Sequence, residues 1–445
     1  MDKNRTNLLN GLIDRAKKLG ADAADAVLFD SIALEHTHRL GRTEGITRAE
    51  SSDLGLRVLV GERQAMAAST DLSPDALDQL AAQAVAMAKN ALDDPWCGLA
   101  DPGALAKDIP DLDTLDAEEP TPEILQQRAA CAEDAARAIK GVTNSEGAEA
   151  GWSRTNVALS ASNGFSGAYA VTGHSVAVSV LAGEGTDMQR DYDYDQACFG
   201  ADLRDGAAIG KRAGERAVAR LNPRKMATAE VPVIFDNRVS GSLLRAFAGA
   251  ISGPSVARGT SFLKDKLNEK IFSDGINIID DPRRKRGHRS KPFDGEGVGT
   301  TRQAWVNDGV LESWIMDCAS ARQLGLTTTG NAARGTSSPP SPSPTNLYME
   351  AGETDVAALI ADIEQGFLVT ELMGMGVNGV TGDYSQGAAG CWIENGEIAF
   401  PVSELTVAAN LKDMFLAMTP ANDLVFRTGT DAPSLRIEGM CVAGA

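Results

Sequence analysis

Histidine is the scarcest chemistry-bearing residue in this chain. Across 445 residues there are four, His36, His38, His174 and His288, and no HExxH or HExxxH spacing occurs. A catalytic zinc needs about three protein ligands and a base beside its water, so the usual helical zinc signature is excluded. Cysteine does not replace it. Cys97, Cys131, Cys198, Cys318, Cys391 and Cys441 stand far apart with no CxxC pair, a pattern that argues against a metal cluster and suits a reduced, cytoplasmic protein. Long apolar runs are missing too: none reaches the roughly 18 residues of a membrane-spanning helix. The N-terminal stretch MDKNRTNLLNGLIDRAKKLGA is amphipathic and lacks the apolar run of a signal peptide. Positive charge is also short. With 42 basic against 61 acidic residues the net charge is −19, which repels nucleic acid and anionic membranes. One basic segment, PRRKRGHRSK (Pro282 to Lys291), stands apart, and a solvated loop at a hairpin tip is its simplest reading.

What remains is the composition of a globular protein, 43% hydrophobic and 23% charged, long enough for two or three domains of ~150 residues. The pattern predicts an α+β fold. Residues 1–92 read as an N-terminal domain of helix, antiparallel meander and second helix, with Ser73 as N-cap and Pro74 at the first helical position. Residues 93–123 read as an acidic linker, 124–222 as a middle α/β domain, and 223–445 as a strand-rich C-terminal domain. RGTSSPPSPSP (Arg334 to Pro344) is expected to be extended and mobile.

The remaining motifs are weak. His36 and His38 share one face of a strand, where exposed positions explain them more simply than metal ligation. GHSVA (Gly173 to Ala177) mimics a nucleophile elbow, but the chain continues as a strand past Ser175 where the elbow demands a helix. DYDYD (Asp191 to Asp195) puts three carboxylates on one strand face and reads as a solvated acidic strand. GEGVG (Gly295 to Gly299) lacks the lysine and spacing of a phosphate loop and is a turn signal. No nucleotide site is detectable.

SLLRAFAGAISG (Ser242 to Gly253) predicts a buried helix with a single charge, Arg245, and a smooth small-residue face from Ala246, Gly249 and Ala250. FLKDKLNEKIFSDGINIIDDP, SKPFDGEGVGTTRQAWVNDGVLESWIMD, NLYMEAG and GVNGVTGDYSQGAAGCWIENGEIAFPVSELTVAANLKDMF, with SRTNVALSASNGFSGAYAVTGHSVAVSVLAGEGTDMQRDYDYD upstream, give the chain a close resemblance to the PmbA/TldE family, in order along nearly its whole length. The resemblance implies a TldD/PmbA-type fold and a subunit of the TldD/TldE zinc metalloprotease, in which the TldD-type chain carries HExxxH on a helix and the TldE-type chain is its metal-free partner. Against the TldD-type pattern LLHEAVGH, this chain keeps Leu243, Leu244 and Gly249. It places Arg245 and Ala250 at the two ligand histidines and Ala246 at the general-base glutamate.

Alanine offers no lone pair, and an arginine stays protonated and repels a zinc ion. The expectation is therefore no catalytic, cofactor or metal residue in this chain, with zinc held by the TldD-type partner. Arg245 serves either as an internal ion-pair or carbonyl contact, or as a cleft-lining group holding a peptide carboxylate or carbonyl. The resemblance further implies small unfolded peptides as substrates, of microcin-precursor or antitoxin type, and an indirect effect on DNA gyrase. Extended peptides would bind by adding to a free sheet edge, and the chain alone could form a homodimer. Two readings compete: an autonomous metallopeptidase with unrecognised ligands such as the Asp191–Asp195 group, and a binding protein that modulates gyrase inhibitors without proteolysis.

Overall fold

Leu9, Leu12, Ile13 and Ala16 recur at helical spacing and are all buried, which sets α1 (Lys3–Lys18) against a sheet. The computed structural model describes residues 3–444; the first two residues of the predicted N-terminal helix lie outside the described residues. Long alternating segments follow as β1 (Ala23–Arg39), β2 (Arg42–Val60) and β3 (Arg63–Ser69), then α2 (Pro74–Asn90). Ser73 caps α2 by accepting from the Ala76 amide, with Pro74 in the first turn, as its sequence predicts. After α3 (Pro122–Arg137) come β4 (Val142–Ala161), β5 (Ser166–Ala182), β6 (Gln189–Ala197) and α4 (Gly206–Ala219).

These strands form one antiparallel sheet in the order β3-β2-β1-β4-β5-β6. β1 pairs with β4 from Asp25–Ala161 to His38–Ala148, so residues on both sides of the 93–123 segment share a single sheet. All four helices cover one face of it. Ala24, Ala26 and Leu28 meet α1 and α2, while Leu34, Trp152 and Val176 meet α3 and α4. The segment 93–123 is itself pinned to β5: the Thr172 amide donates to the Thr114 carbonyl (2.9 Å), and the Asp116 amide to Thr172 Oγ1 (2.8 Å).

The remainder builds a second layer system. β7 (Ala229–Phe235), α5 (Gly241–Ala250) and α6 (Gly253–Ala257) open it. Short strands β8 (Ile278–Asp280), β9 (Gln303–Asn307) and β10 (Val310–Leu311) follow, then α7 (Cys318–Leu324), β11 (Ala332–Ala333), β12 (Ser341–Pro342) and β13 (Leu347–Met349). β14 (Gln365–Met373), β15 (Asp383–Glu394), β16 (Glu397–Asn410), β17 (Met418–Pro420), β18 (Thr430–Asp431) and β19 (Leu435–Ala443) complete it. β16-β15-β14-β7-β19 closes on itself, because Thr406–Ala408 of β16 also pairs with Cys441–Ala443 of β19. A five-stranded sheet, β10-β9-β8-β13-β18, packs beside this barrel, and one core that includes Phe235, Phe247, Trp305, Phe367 and Trp392 unites them.

Three segments differ from their sequence reading. The Ser/Pro-rich stretch is tied down: Arg334 is buried in an ion pair with Asp25, β12 pairs with β11, and the Thr336 carbonyl lies where a Cβ on Gly55 would sit. The basic segment Pro282–Lys291 is a clamp and no solvated tip. Arg286 pairs with Asp113 (2.7 Å) and Asp202 (2.9 Å) and lies over Phe199, while Arg284 stacks on Phe426. The Asp191–Asp195 strand is not solvated: Asp191 and Asp193 are buried and turned toward the helix layer, and Tyr192, Tyr194 and Asp195 are half-buried.

Candidate functional site

The loop from β7 to α5 is built by side chains that satisfy its backbone. Asp236 accepts from the Arg238 amide (2.9 Å), and Asp423 accepts from the Asn237 side chain (3.1 Å). Ser240 Oγ donates to the Ala432 carbonyl (3.1 Å). Gly241 opens α5 where any Cβ would stand 2.6 Å from the Thr430 carbonyl oxygen, so only glycine fits. Leu243, Leu244, Phe247, Ala248 and Ala250 then point into the core, Phe247 edge-on to Phe272 at 5.4 Å.

The positions that resemble a metal motif divide between solvent and core. Arg245 and Gly249, one turn apart, are exposed; Ala246 is half-buried and Ala250 buried. Residues five apart on a regular helix differ by about 140°, so the Arg245 and Ala250 side chains do not converge. The helix end is fixed, since Ala250 O accepts from Ser261 Oγ (2.6 Å) and Ile251 O from the Ile315 amide (2.9 Å). Arg245 has no hydrogen bond or ion pair among the described residues, contrary to its expected internal contact. A zinc ion does not fit this donor set, which is one guanidinium and two methyl groups.

Elsewhere the candidate ligands are already engaged. Asp191 accepts from Arg238 (3.0 and 3.2 Å) and Arg220 (3.4 Å), and Asp193 from Arg204 (2.9 Å) and Arg216 (3.0 Å). Asp195 accepts from the Arg204 amide (2.8 Å). Guanidinium groups occupy the space a hard cation would need. His36 and His38 are buried under α3, not exposed, with ring centroids 6.1 Å apart. His38 Nε2 faces the buried Glu133 carboxylate at 3.8 Å, and Glu133 takes the Leu40 and Gly41 amides of the hairpin turn. Burial, then the His38 charge, pushes the His36 pKa down. His174 sits 3.1 Å from Asp116 and is likewise pushed down by burial. His288 belongs to the basic clamp, again lowered by burial. Among the described residues no three His, Cys, Asp or Glu side chains group closely enough to hold a metal. Ser175 lies mid-strand in β5, exposed and opposite Gly151 and Gln196, with no helix after it. Gly295–Gly299 is a turn around Asp294, which accepts the Glu296 and Val298 amides.

Sequence reasoning missed the face opposite the helices. There the first sheet is open beyond Phe293 and carries two adjoining clefts. One, of about 420 Å³, is lined by Thr37, Glu146, Glu149, Ser179, Arg190 and Tyr192. The other, of about 320 Å³, holds Glu35, Ser153, Ser175, Gln196 and His288 and shares Glu149. Neither includes Arg245. Period-two alternation marks these residues as one face, yet nothing local says which face the helices leave uncovered.

A six-stranded sheet under four helices, joined to a closed barrel whose first helix carries the motif positions, is the architecture of a three-part metallopeptidase fold. The chain matches PmbA/TldA metallopeptidase domain 1 over residues 24–88, the central domain over 111–221 and the C-terminal domain over 228–444, and it belongs to that family. It is 38% identical over 427 residues to the Escherichia coli O157:H7 protein named Metalloprotease PmbA, covering 95% of this chain and 93% of that one. A Bacteroides thetaiotaomicron crystal structure described as a modulator of DNA gyrase superposes with TM-score 0.91 at 29% identity, covering 100% of both chains. Thermococcus kodakarensis TldE shares the fold, with TM-score 0.86 at 22% identity over 98% of this chain and 100% of that one.

Proposed function

We propose that this chain is the non-catalytic, TldE/PmbA-type subunit of a TldD/TldE zinc metalloprotease, and that hydrolysis takes place on a TldD-type partner that holds the zinc. The observation that carries the reading is the donor set of α5: Arg245, Ala246 and Ala250 stand at the motif positions, and Ala250 is packed into the core. Three ligating or proton-accepting groups are absent at once, and no rotation of exposed side chains restores them. Kinship with a protein named as a metalloprotease supports a role in proteolysis.

In this reading the open face of the first sheet forms part of a chamber wall. Its two clefts join through Glu149 and present carboxylates from Glu35 and Glu149, Glu146 being paired with Arg190, which suits extended peptides of neutral or basic character. Small unfolded peptides of microcin-precursor or antitoxin type fit such a wall, and any effect on gyrase follows from their removal. The assembly would work in the cytoplasm. No helix among the described residues is long and apolar enough to cross a membrane.

The test is co-purification with a TldD-type chain followed by cleavage of an unstructured peptide. The reading requires a stable complex, and cleavage that depends on both chains. Cleavage by the partner alone at the full rate would support the binding-protein alternative instead.

A further inference from the structure

A lysine drawn out of solvent is ordinarily paired with an acid. Lys291 is half-buried and is in no ion pair among the described residues. Its Nζ donates once, to the Ala332 carbonyl at 3.1 Å, which leaves two of its three donors unused. The acids whose charge it feels are engaged elsewhere. Asp294 accepts the Glu296, Val298 and Ala332 amides, and Asp280 accepts from Thr345 and Asn331. Burial pulls the Lys291 pKa down, and the charges of Asp294 and Asp280 oppose this without cancelling it.

The unused donors belong to a residue that lines a cavity of about 130 Å³ between the first sheet and β11. Val27, Phe29, Val157, Leu159 and Phe293 make its walls apolar. Tyr169 adds a hydroxyl that has no partner among the described residues, and burial pushes its pKa up to about 12, so it stays a donor. Arg334, also on the wall, is spent on Asp25. An apolar cavity of ~150 Å³ admits a benzene ring, so this one has room for a single branched or aromatic group. We infer that the cavity is a binding site for an apolar monocarboxylate, its walls taking the apolar group and Lys291 with Tyr169 taking the carboxylate.

Two sources carry that chemistry, the C-terminal residue of a peptide and a free short-chain acid, and the sheet favours the peptide. Phe29, Val157 and Tyr169 form one cross-strand row of the cavity. The next row on that face is Ser31, Thr155 and Val171; the one after is Ala33, Ser153 and Gly173, which already line the cleft holding Glu35. Two such steps span about 14 Å, the reach of four extended residues. A peptide seated by its last residue therefore crosses the Ser31–Thr155 hydroxyl pair (3.0 Å) and lays its upstream residues against Glu35 and Glu149. Its carboxylate meets the ammonium and its body meets the acids, so charge sets its direction. This choice of source rests on the proposed peptide wall; the cavity itself does not.

Fluorescence anisotropy of the full chain tests the site, using an N-terminally labelled unstructured peptide that ends in leucine, once as the free acid and once as the C-terminal amide. Isovalerate is titrated in parallel by calorimetry. The acid should bind at least about tenfold more tightly than the amide. Lys291→Met should bring the two within about twofold, and Ala333→Leu, which narrows the cavity, should weaken the acid peptide; unchanged melting shows that each variant is folded. Isovalerate binding that requires Lys291, without an acid–amide difference, keeps the carboxylate site and overturns the peptide as its source. Equal affinity for acid and amide with no isovalerate binding overturns the proposal, as does a preference for the acid that Lys291→Met leaves intact. Cleavage by a mixed pair enters none of these readouts, so this site and the assignment of zinc to a partner fail separately.

Discussion

Arg238, in the loop that launches α5, grips Asp191 of β6 with two hydrogen bonds of 3.0 and 3.2 Å, and both side chains are buried. The same guanidinium donates to the Thr370 carbonyl of β14 at 2.6 Å. One residue thus ties the helix carrying the motif positions to both the barrel and the first sheet. Burial pulls the Arg238 pKa down, but the hydrogen bonds and charge of Asp191 outweigh it and hold the group protonated.

Asp191→Ala leaves the buried Arg238 without its carboxylate, while Arg220 keeps its ion pair with Glu371. Removing one partner of a buried pair costs about 3–5 kcal/mol. Urea denaturation should show a loss of that order, whereas Asp195→Ala, with a less buried carboxylate, should lose less.

A second prediction concerns pH. Glu296 is buried, with Arg57 3.9 Å away and the Cys318 amide donating to it at 2.8 Å. Burial dominates and pushes its pKa up to about 7. The folded state therefore holds a proton that the unfolded state has released, and stability falls as pH rises from the ordinary carboxylate range through about 7. Glu296→Gln keeps the acceptor for Cys318 and removes the titration. Melting temperature against pH should be flatter for the variant across that window, with a difference of up to about 3 kcal/mol above it.

The Ser/Pro-rich stretch yields a third. Arg334→Ala breaks the buried pair with Asp25, which Arg57 continues to hold at 2.9 Å. The stretch should detach while Asp25 stays neutralised. Limited proteolysis should then cut between residues 335 and 340 faster than in the unaltered chain, with the rest intact.

Arg245 yields a fourth. Being exposed and without a described partner, Arg245→Ala should change stability by no more than about 0.5 kcal/mol. Ala250→His places an imidazole into a packed core and should cost about 1–3 kcal/mol. If Arg245 holds peptide in the assembled pair, its removal raises KM for cleavage; unaltered cleavage eliminates that role.

Much of the architecture was legible because its determinants are local. Ser73 and Pro74 announce α2, and strand alternation placed His36 with His38 and grouped Asp191, Asp193 and Asp195 correctly on shared faces. What alternation could not supply was the identity of the covering layer. α3 buries the histidines from more than eighty positions away in the chain, and its Glu133 satisfies the hairpin turn. Asp191 and Asp193 look solvated only until Arg204 and Arg220, which flank α4, Arg216 within it, and Arg238 of the β7–α5 loop arrive. Arg334 sits in a composition typical of mobile chain, and its anchor, Asp25, lies near the other terminus. The substitutions on α5 were legible through the family resemblance, because a missing histidine leaves no periodic signal of its own.

The most direct test is metal content and peptidase activity measured on one preparation of the isolated chain, then on the same preparation mixed with a TldD-type chain. The account predicts less than stoichiometric zinc and no cleavage from the chain alone, with both appearing on addition of the partner. One tightly held zinc per molecule, together with unaided cleavage that a chelator abolishes, would contradict it.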